Sequence, residues 1–175
     1  MSQPDDLSVA YTVDKPVVPK VPDHFRARPI TKQDFDAIVQ VVDQWWEGPI
    51  AALVHPIFFY EFGKYARVVE DTSREDRFVG FLLGFIVPRD GDSPPLGYIH
   101  LVGIEPSYRR KGVARALYAE FAQMCAVEGC KQMKAISTVG NEGSARFHEA
   151  LGWHGREEPD YAGPKRKRLV FTRDL

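Results

Sequence analysis

The chain has little cysteine, little net charge and no long apolar segment. Its 2 cysteines, Cys125 and Cys130, lie five positions apart, which fits neither a CxxC redox pair nor a set of metal ligands. We expect both to be reduced thiols in the core. Lys+Arg 23 against Asp+Glu 24 leaves a net charge of -1, so no global charge attracts nucleic acid or a membrane surface.

Signals for membranes and secretion are also missing from the sequence. No apolar run approaches the roughly 18 residues of a membrane-spanning helix, and no basic segment followed by an apolar stretch lies near the N-terminus. We therefore expect a cytoplasmic protein without a membrane partner. At 175 residues, of which 44% are hydrophobic, the chain is long enough for one domain with a full core and too short for two.

The first 23 residues differ from the rest. They carry prolines at positions 4, 16, 19 and 22, with polar and acidic residues between them and little hydrophobic periodicity. This composition predicts an extended, partly disordered arm over residues 1–23. The domain itself is expected over residues 24–175.

The front half of this domain alternates between strand and helix patterns. A short strand around Phe25 and Ala27 precedes a helix with apolar residues at Phe35, Ile38 and Val42. The aromatic-rich segment 55–65 predicts a second helix. Segments 66–70 and 78–87 predict two strands joined by a polar turn.

The back half shows a clearer strand, helix, strand, helix order. Segment 96–104 predicts a central strand, and Gly112 opens a helix that Gly129 stops. Segment 131–139 predicts another strand, followed by a helix over residues 141–151, and segments 153–156 and 168–172 predict the last strands. The order indicates an α+β fold.

A basic loop joins the central strand to the helix at Gly112. Together they present unpaired backbone N–H groups and the positive end of a helix, which favour an anion. Gly112 lets the backbone approach a pyrophosphate closely. The loop has neither the GxxxxGK[ST] pattern of a P-loop nor a GxGxxG pattern. Taken alone, it could equally be a solvated basic turn. Its residues are Arg109, Arg110, Lys111, Gly112, Val113 and Ala114.

In context, residues 96–153 resemble the GNAT superfamily of N-acetyltransferases. The strand LGYIHLVGIEP, the loop RRKGVA, the strand KQMKAISTV and the helix NEGSARFHEALGW follow that superfamily's order and spacing. The resemblance implies a mixed, mostly antiparallel sheet that is splayed between two strands and flanked by about four helices. It also implies acetyl-CoA, or another short acyl-CoA, as co-substrate and no metal.

The resemblance also implies roles for individual residues. Backbone groups near Val102 and Ile104 would pair with the pantetheine arm of coenzyme A, and one of their N–H groups would polarise the thioester carbonyl. The backbone N–H groups from Arg110 to Ala114 would hold the pyrophosphate, and Arg109 would add positive charge to the same coenzyme A loop. Asn141 would contact the pantetheine, with Ser144 close by, although Asn141 is also a good N-cap whatever the function.

The acid of an acyl transfer has one candidate, and the base has a leading candidate besides the lesser ones Tyr98 and Glu105. The superfamily commonly has a tyrosine where this chain has His148. His148 could donate the proton to the leaving thiolate, orient a water that does so, or pack beneath the cofactor while the thiolate leaves unaided. His100 is the candidate base, because simple alternation puts it on the strand face of Val102 and Ile104. It could instead be a histidine satisfied inside the sheet.

The acceptor amine is expected near aromatic residues of the first two helices and of the last loop. These are Trp45, Trp46, Tyr60 and Tyr161. They could instead fill the core or a homodimer interface. We expect a primary amine of a small molecule or a protein as partner, and no nucleic acid, because the run 165–168 reads as a solvated loop. The competing functions are a non-catalytic acyl-CoA-binding domain and a nucleic-acid-binding module.

Overall fold

Residues 21–175 are described by a computed structural model, and within them the chain forms one seven-stranded sheet and four α-helices. The first twenty residues of the predicted arm lie outside the described part. The strands are β1 (Phe25–Pro29), β2 (Arg67–Asp71), β3 (Arg77–Val87), β4 (Leu96–Ile104), β5 (Gln132–Ser137), β6 (His154–Glu158) and β7 (Arg168–Asp174). The helices are α1 (Asp34–Trp46), α2 (Ile57–Tyr60), α3 (Val113–Val127) and α4 (Glu142–Ala150).

The sheet has the order β1-β2-β3-β4-β5-β7-β6 and is antiparallel except where β4 meets β5. These two parallel strands pair only from Leu96 to Ile99 on β4 and from Gln132 to Ala135 on β5. Both strands continue beyond the last pair. The sheet is therefore splayed between β4 and β5, and the predicted α+β fold is confirmed.

Two apolar layers cover the two faces of this sheet. Successive residues of a strand point to opposite faces, so Val68 and Val69 of β2 belong to different layers. Val69 packs in the layer that contains Leu117 and Phe121 of α3. Val68 packs in the layer that contains Ile38 of α1, together with α2. Cys125 and Cys130 are free thiols buried in the α3 layer, as predicted.

The helix predicted over residues 55–65 is wrong in its extent. α2 comprises only Ile57–Tyr60, and a single 3₁₀ turn follows at Gly63–Tyr65. Phe58 and Phe59 are both buried and pack in the α1 layer against the sheet. Aromatic residues and glycine are also weak helix formers, so sheet packing prevails over continuation of the helix.

A bulge in β4 changes which residues share a face. Leu83 of β3 is opposite Leu101 and Gly84 is opposite Ile99, so His100 has no cross-strand partner of its own. Ile99 therefore packs in the α3 layer, while Leu101 packs in the α1 layer. The alternation that placed His100 beside Val102 and Ile104 is wrong at this point. His100 lies on the α1 and α2 side, and Val102 and Ile104 pack against the α3 layer.

None of the helices in residues 21–175 is both long and apolar enough to span a bilayer.

Candidate active site

The gap between β4 and β5 opens into a cavity of about 1100 Å³. Its lining includes His100 and Val102 of β4, the start of α3, and His148 of α4. Ile136 and Ser137 of β5 form the opposite wall. The splay of the sheet thus brings together most of the residues that the sequence singled out.

The backbone of β4 is free on the side of this gap. The N–H of Glu105 donates to the Val79 carbonyl of β3. This bond fixes which of the preceding residues point their backbone N–H and C=O groups toward β3. The N–H and C=O groups of Gly103 therefore point toward β3, whereas those of Val102 and Ile104 point toward the gap. Within residues 21–175 these groups have no strand partner, and of the four only the Ile104 carbonyl is bonded, to Nε of Arg109, so the other three are open to an extended ligand.

The start of α3 forms an open cradle of backbone N–H groups. Gly112 is the N-cap with φ 82 and has no side chain to cap the helix. Arg110, two residues earlier, also has a positive φ of 63. A Cβ on Gly112 would meet no atom within 4 Å, so the space in front of the cradle is open. Such a cradle suits an anion such as a pyrophosphate.

The basic side chains of this loop do not all face the cradle. The guanidinium of Arg109 donates from Nε to the Ile104 carbonyl over 3.2 Å and from Nη2 to the Trp45 carbonyl of α1. Lys111 places its Nζ over the Tyr108 ring, 4.7 Å from the centroid. Arg110 is exposed and makes no side-chain hydrogen bond within residues 21–175. The side chain of Arg109 is thus bonded to two backbone carbonyls, whereas that of Arg110 is open to solvent.

His100 is held by its neighbours on the α2 side. Its ring stacks on Phe58 with centroids 4.6 Å apart, and Nε2 lies 2.9 Å from the Leu53 carbonyl. A carbonyl only accepts, so Nε2 carries the proton and Nδ1 keeps a lone pair. Burial lowers the pKa of His100, and the bond to Leu53 offsets only part of this effect. His100 is thus a neutral imidazole at the cavity wall.

His148 is buried among aromatic rings, with 4% of its surface exposed. It stacks on Phe171 with centroids 4.1 Å apart, and Trp153 and Phe147 contact it edge-on. Nδ1 lies 2.8 Å from the Ser144 carbonyl, which fixes the Nδ1–H tautomer. Burial lowers the pKa of His148 despite this bond.

Tyr118 of α3 completes the surroundings of His148. Its hydroxyl lies 3.1 Å from Nε2 of His148 and donates to it, because Nδ1 already holds the ring proton. Burial raises the pKa of Tyr118. Both side chains line the cavity. The sequence analysis missed Tyr118, although its spacing from Phe121 and Cys125 puts it on one helix stripe with them.

Asn141 is the N-cap of α4. Its Oδ1 accepts from the N–H of Ser144 over 3.0 Å, so the capping role is real. Asn141 and Ser144 also line the cavity. The amide nitrogen of Asn141 makes no hydrogen bond within the described residues, which leaves a donor for a ligand.

The four aromatic residues expected around the acceptor separate into two pairs. Trp45 and Trp46 line the cavity, whereas Tyr60 and Tyr161 do not. Trp45 is largely a core residue that stacks on Phe78 at 5.3 Å. Tyr60 is 60% exposed beneath Lys32, and Tyr161 lies beneath Lys134. Trp46 is thus the aromatic residue of this set best placed to wall an acceptor site.

The model of the acetyltransferase (GNAT) family matches residues 35–153, which include β4, the cradle and α4. The chain belongs to the GNAT family. This confirms the resemblance that residues 96–153 suggested and extends it to the front half of the domain.

Relatives of this GNAT chain are named as acetyltransferases of different kinds. The chain is 34% identical over 82 residues to the mycothiol acetyltransferase of Kocuria rhizophila, which covers 45% of this chain and only 27% of that protein. It is 25% identical over 125 residues to N-alpha-acetyltransferase 30 of Schizosaccharomyces pombe, which covers 71% of this chain and 81% of that one. The chain therefore spans about a quarter of the length of the first relative.

Solved structures show the same GNAT fold. A chain of the NatC complex bound to Gag peptide and CoA superimposes with a TM-score of 0.74 at 17% identity, covering 87% of this chain and 99% of that one. At this level of identity the likeness concerns the fold. At the position where the resemblance implied a tyrosine, this GNAT chain has His148, which is hydrogen-bonded to Tyr118 of α3.

Proposed function

We propose that this GNAT chain is an acetyl-CoA-dependent N-acetyltransferase that transfers the acetyl group directly to a primary amine. The observation that carries the proposal is the gap between β4 and β5. It leads from the anion cradle at Gly112, past the gap-facing N–H groups of Val102 and Ile104, to a cavity that His100 and Trp46 also line.

The residues around this gap fit coenzyme A. The N–H groups from Arg110 to Ala114 would hold the pyrophosphate, and the gap-facing groups of Val102 and Ile104 would pair with the pantetheine. Asn141 and Ser144 would bound the pantetheine from α4. When bound, acetyl-CoA supplies an acetyl group activated as a thioester. The N–H of Val102 or Ile104 would donate to the thioester carbonyl as negative charge develops on its oxygen.

His100 would act as the general base. It is neutral, its ring is fixed by Phe58 and Leu53, and Nδ1 keeps a lone pair. An ordinary histidine pKa of about 6.5 lies about 1.4 below that of an α-amino group and about 4 below that of lysine. Each pKa unit of difference adds about 1.4 kcal/mol to the free energy of the proton transfer. Burial of His100 makes both pKa differences larger. We therefore favour an α-amino group over a lysine side chain as acceptor.

The thiolate would leave unaided, as an anion, and take up its proton from bulk solvent after release. An imidazolium with an ordinary pKa of about 6.5 is a minority species at pH 7, and burial lowers the pKa of His148 further. Transfer from a phenol of pKa about 10 to a thiolate of about 8.5 is uphill by about 2 kcal/mol, and burial raises the pKa of Tyr118. His148 and Tyr118 thus serve as the packed wall beneath the cofactor.

An amine panel tests this function. Free-thiol release from acetyl-CoA is measured with a peptide bearing a free N-terminus, the same peptide blocked at its N-terminus but containing lysine, small primary amines and aminoglycosides. The proposal expects release with at least one amine and the highest kcat/KM for the free α-amino group. Faster turnover of the lysine peptide would contradict the argument from His100.

A non-catalytic acyl-CoA-binding domain is the second candidate, because the usual tyrosine is replaced by a histidine whose two ring nitrogens are both hydrogen-bonded. Tight acetyl-CoA binding without thiol release on any amine of the panel would favour it. A homodimer and a cytoplasmic location stay predictions.

A further inference from the structure

Arg109 connects the anion cradle with the end of α1. Its Nε donates to the carbonyl of Ile104, the last residue of β4, and its Nη2 donates to the carbonyl of Trp45 in the last turn of α1. Two side-chain nitrogens on one planar guanidinium thus fix two elements against each other. A lysine could reach only one of these carbonyls at a time.

The end of α1 needs such a donor. The last turn of a helix leaves carbonyl groups without intrahelical partners and carries the negative end of the helix dipole. Glu47 and Gly48 donate their N–H groups to the carbonyls of Gln44 and Asp43. The last turn of α1 contains no basic residue. Arg109 therefore supplies from a distant loop the cation that the helix itself lacks.

Trp46, the final residue of α1, lies directly against β4. A Cβ built on Gly103 would lie 2.6 Å from two atoms of the Trp46 ring, so the indole rests on the backbone of that glycine. Gly103 is flanked by Val102 and Ile104, whose polar groups face the gap. The position of the Trp46 ring beside the reacting groups therefore depends on where α1 ends.

We infer that Arg109 is a positioning residue that sets the acceptor wall formed by Trp46, and that it is not a phosphate ligand. The inference rests on the proposed function for the identity of that wall as the acceptor site. Its side chain acts through α1, while the backbone of the same loop acts on the cofactor. One loop thereby serves both substrates.

Arg110 offers a matched control. It is the next residue, carries the same charge, is exposed and makes no side-chain hydrogen bond within the described residues. If general positive charge in the loop is what matters, Arg109→Ala and Arg110→Ala must behave alike. If Arg109 positions α1, the two variants must differ.

The experiment combines coenzyme A binding, tryptophan exposure and kinetics. Calorimetry gives the Kd of coenzyme A, acrylamide quenching reports tryptophan exposure, and a Trp46→Phe background assigns the quenching to Trp46. In Arg109→Ala the Kd of coenzyme A should stay within about threefold of the wild-type value, while acrylamide quenching increases. The KM of the amine should rise about tenfold and kcat should stay within about threefold. A tenfold rise corresponds to the loss of about 1.4 kcal/mol of hydrogen bonding. Arg110→Ala should weaken coenzyme A binding without a change in quenching.

The opposite pattern overturns the inference. It is wrong if Arg109→Ala weakens coenzyme A binding about tenfold or more while quenching is unchanged, because the guanidinium then serves the phosphate. Arg109→Gln, which can still donate to one carbonyl, replaces the alanine variant if that one does not fold, and it should show the same pattern to a smaller degree. The quenching and calorimetry need no turnover, so they decide the role of Arg109 even if no amine is acetylated.

Discussion

The hydroxyl of Tyr118 lies 3.1 Å from Nε2 of His148, and neither side chain has appreciable contact with solvent. The second ring nitrogen of His148 is bonded to the Ser144 carbonyl. Both polar ends of the pair are therefore satisfied inside an aromatic cluster, and the pair connects α3 with α4. His148 therefore helps to hold α4 against α3.

The pair should show strong energetic coupling. Tyr118→Phe leaves Nε2 of His148 buried without a donor, so we expect a loss of about 1–3 kcal/mol of unfolding free energy. Tyr118→Phe/His148→Leu removes both partners and should be less destabilised than the sum of the single variants by about 0.5–3 kcal/mol. Urea denaturation measures all three. Strict additivity would contradict the hydrogen bond. The exposed Tyr60→Phe serves as control and should change stability by less than about 0.5 kcal/mol.

The lowered pKa of His148 predicts how stability depends on pH. Burial disfavours the imidazolium in the folded state, so the unfolded chain binds more protons once the pH falls to about 6.5. The free energy of unfolding should therefore decrease as the pH falls from about 7 toward the lowered folded pKa. Urea midpoints across this range should fall less steeply in His148→Gln than in the wild type. An unchanged slope in His148→Gln would argue against a neutral buried His148.

The pKa of His100 is also lowered, which predicts how its catalytic role depends on pH. Burial lowers the pKa of His100, so the neutral base should predominate above its ordinary value of about 6.5 and disappear only at lower pH. We expect kcat/KM to fall on the acidic side through this lowered pKa, and His100→Gln to reduce kcat by about 10² or more while abolishing that limb. A His100→Gln enzyme with the wild-type pH profile would exclude the role.

Gly112 and Gly91 make a matched pair for testing the cradle. Both have a positive φ, and a Cβ on either would meet nothing within 4 Å, so alanine strains only the backbone at each site. Each substitution should cost about 1–2 kcal/mol of stability. Only Gly112→Ala should also weaken coenzyme A binding, because Gly112 caps α3 and Gly91 lies in the loop between β3 and β4. Calorimetry gives the Kd, and equal Kd values for the two variants would argue against the cradle.

Much of the fold could be predicted from local patterns. Apolar runs bounded by turn residues placed β3 and β4, and helical periodicity placed α3 and α4, close to their observed bounds, because buried strands and helices with one buried face each leave a local signal. The segment 55–65 failed because packing of Phe58 and Phe59 in the α1 layer outweighs the weak helix propensity of an aromatic-rich segment that also contains Gly63. Long-range packing decided the structure there.

The site was harder to predict because its details depend on single residues. A bulge at His100 reverses the faces of β4, and such an inserted residue leaves no mark in an alternating sequence. The basic residues of the loop looked equivalent in the sequence, yet Arg109 reaches back to α1 while Arg110 stays free of side-chain hydrogen bonds in the described part. The bond between Tyr118 and His148 joins positions 30 residues apart.

The most direct test of the central claim follows the acetyl group itself. The protein is incubated with acetyl-CoA carrying an isotope-labelled acetyl group and a peptide with a free N-terminus, and the peptide is examined by mass spectrometry. We predict that labelled acetyl appears on the α-amino nitrogen in step with free coenzyme A, and that His100→Gln slows both. Saturable binding of acetyl-CoA without label on this peptide or on any other amine of the panel would contradict the account.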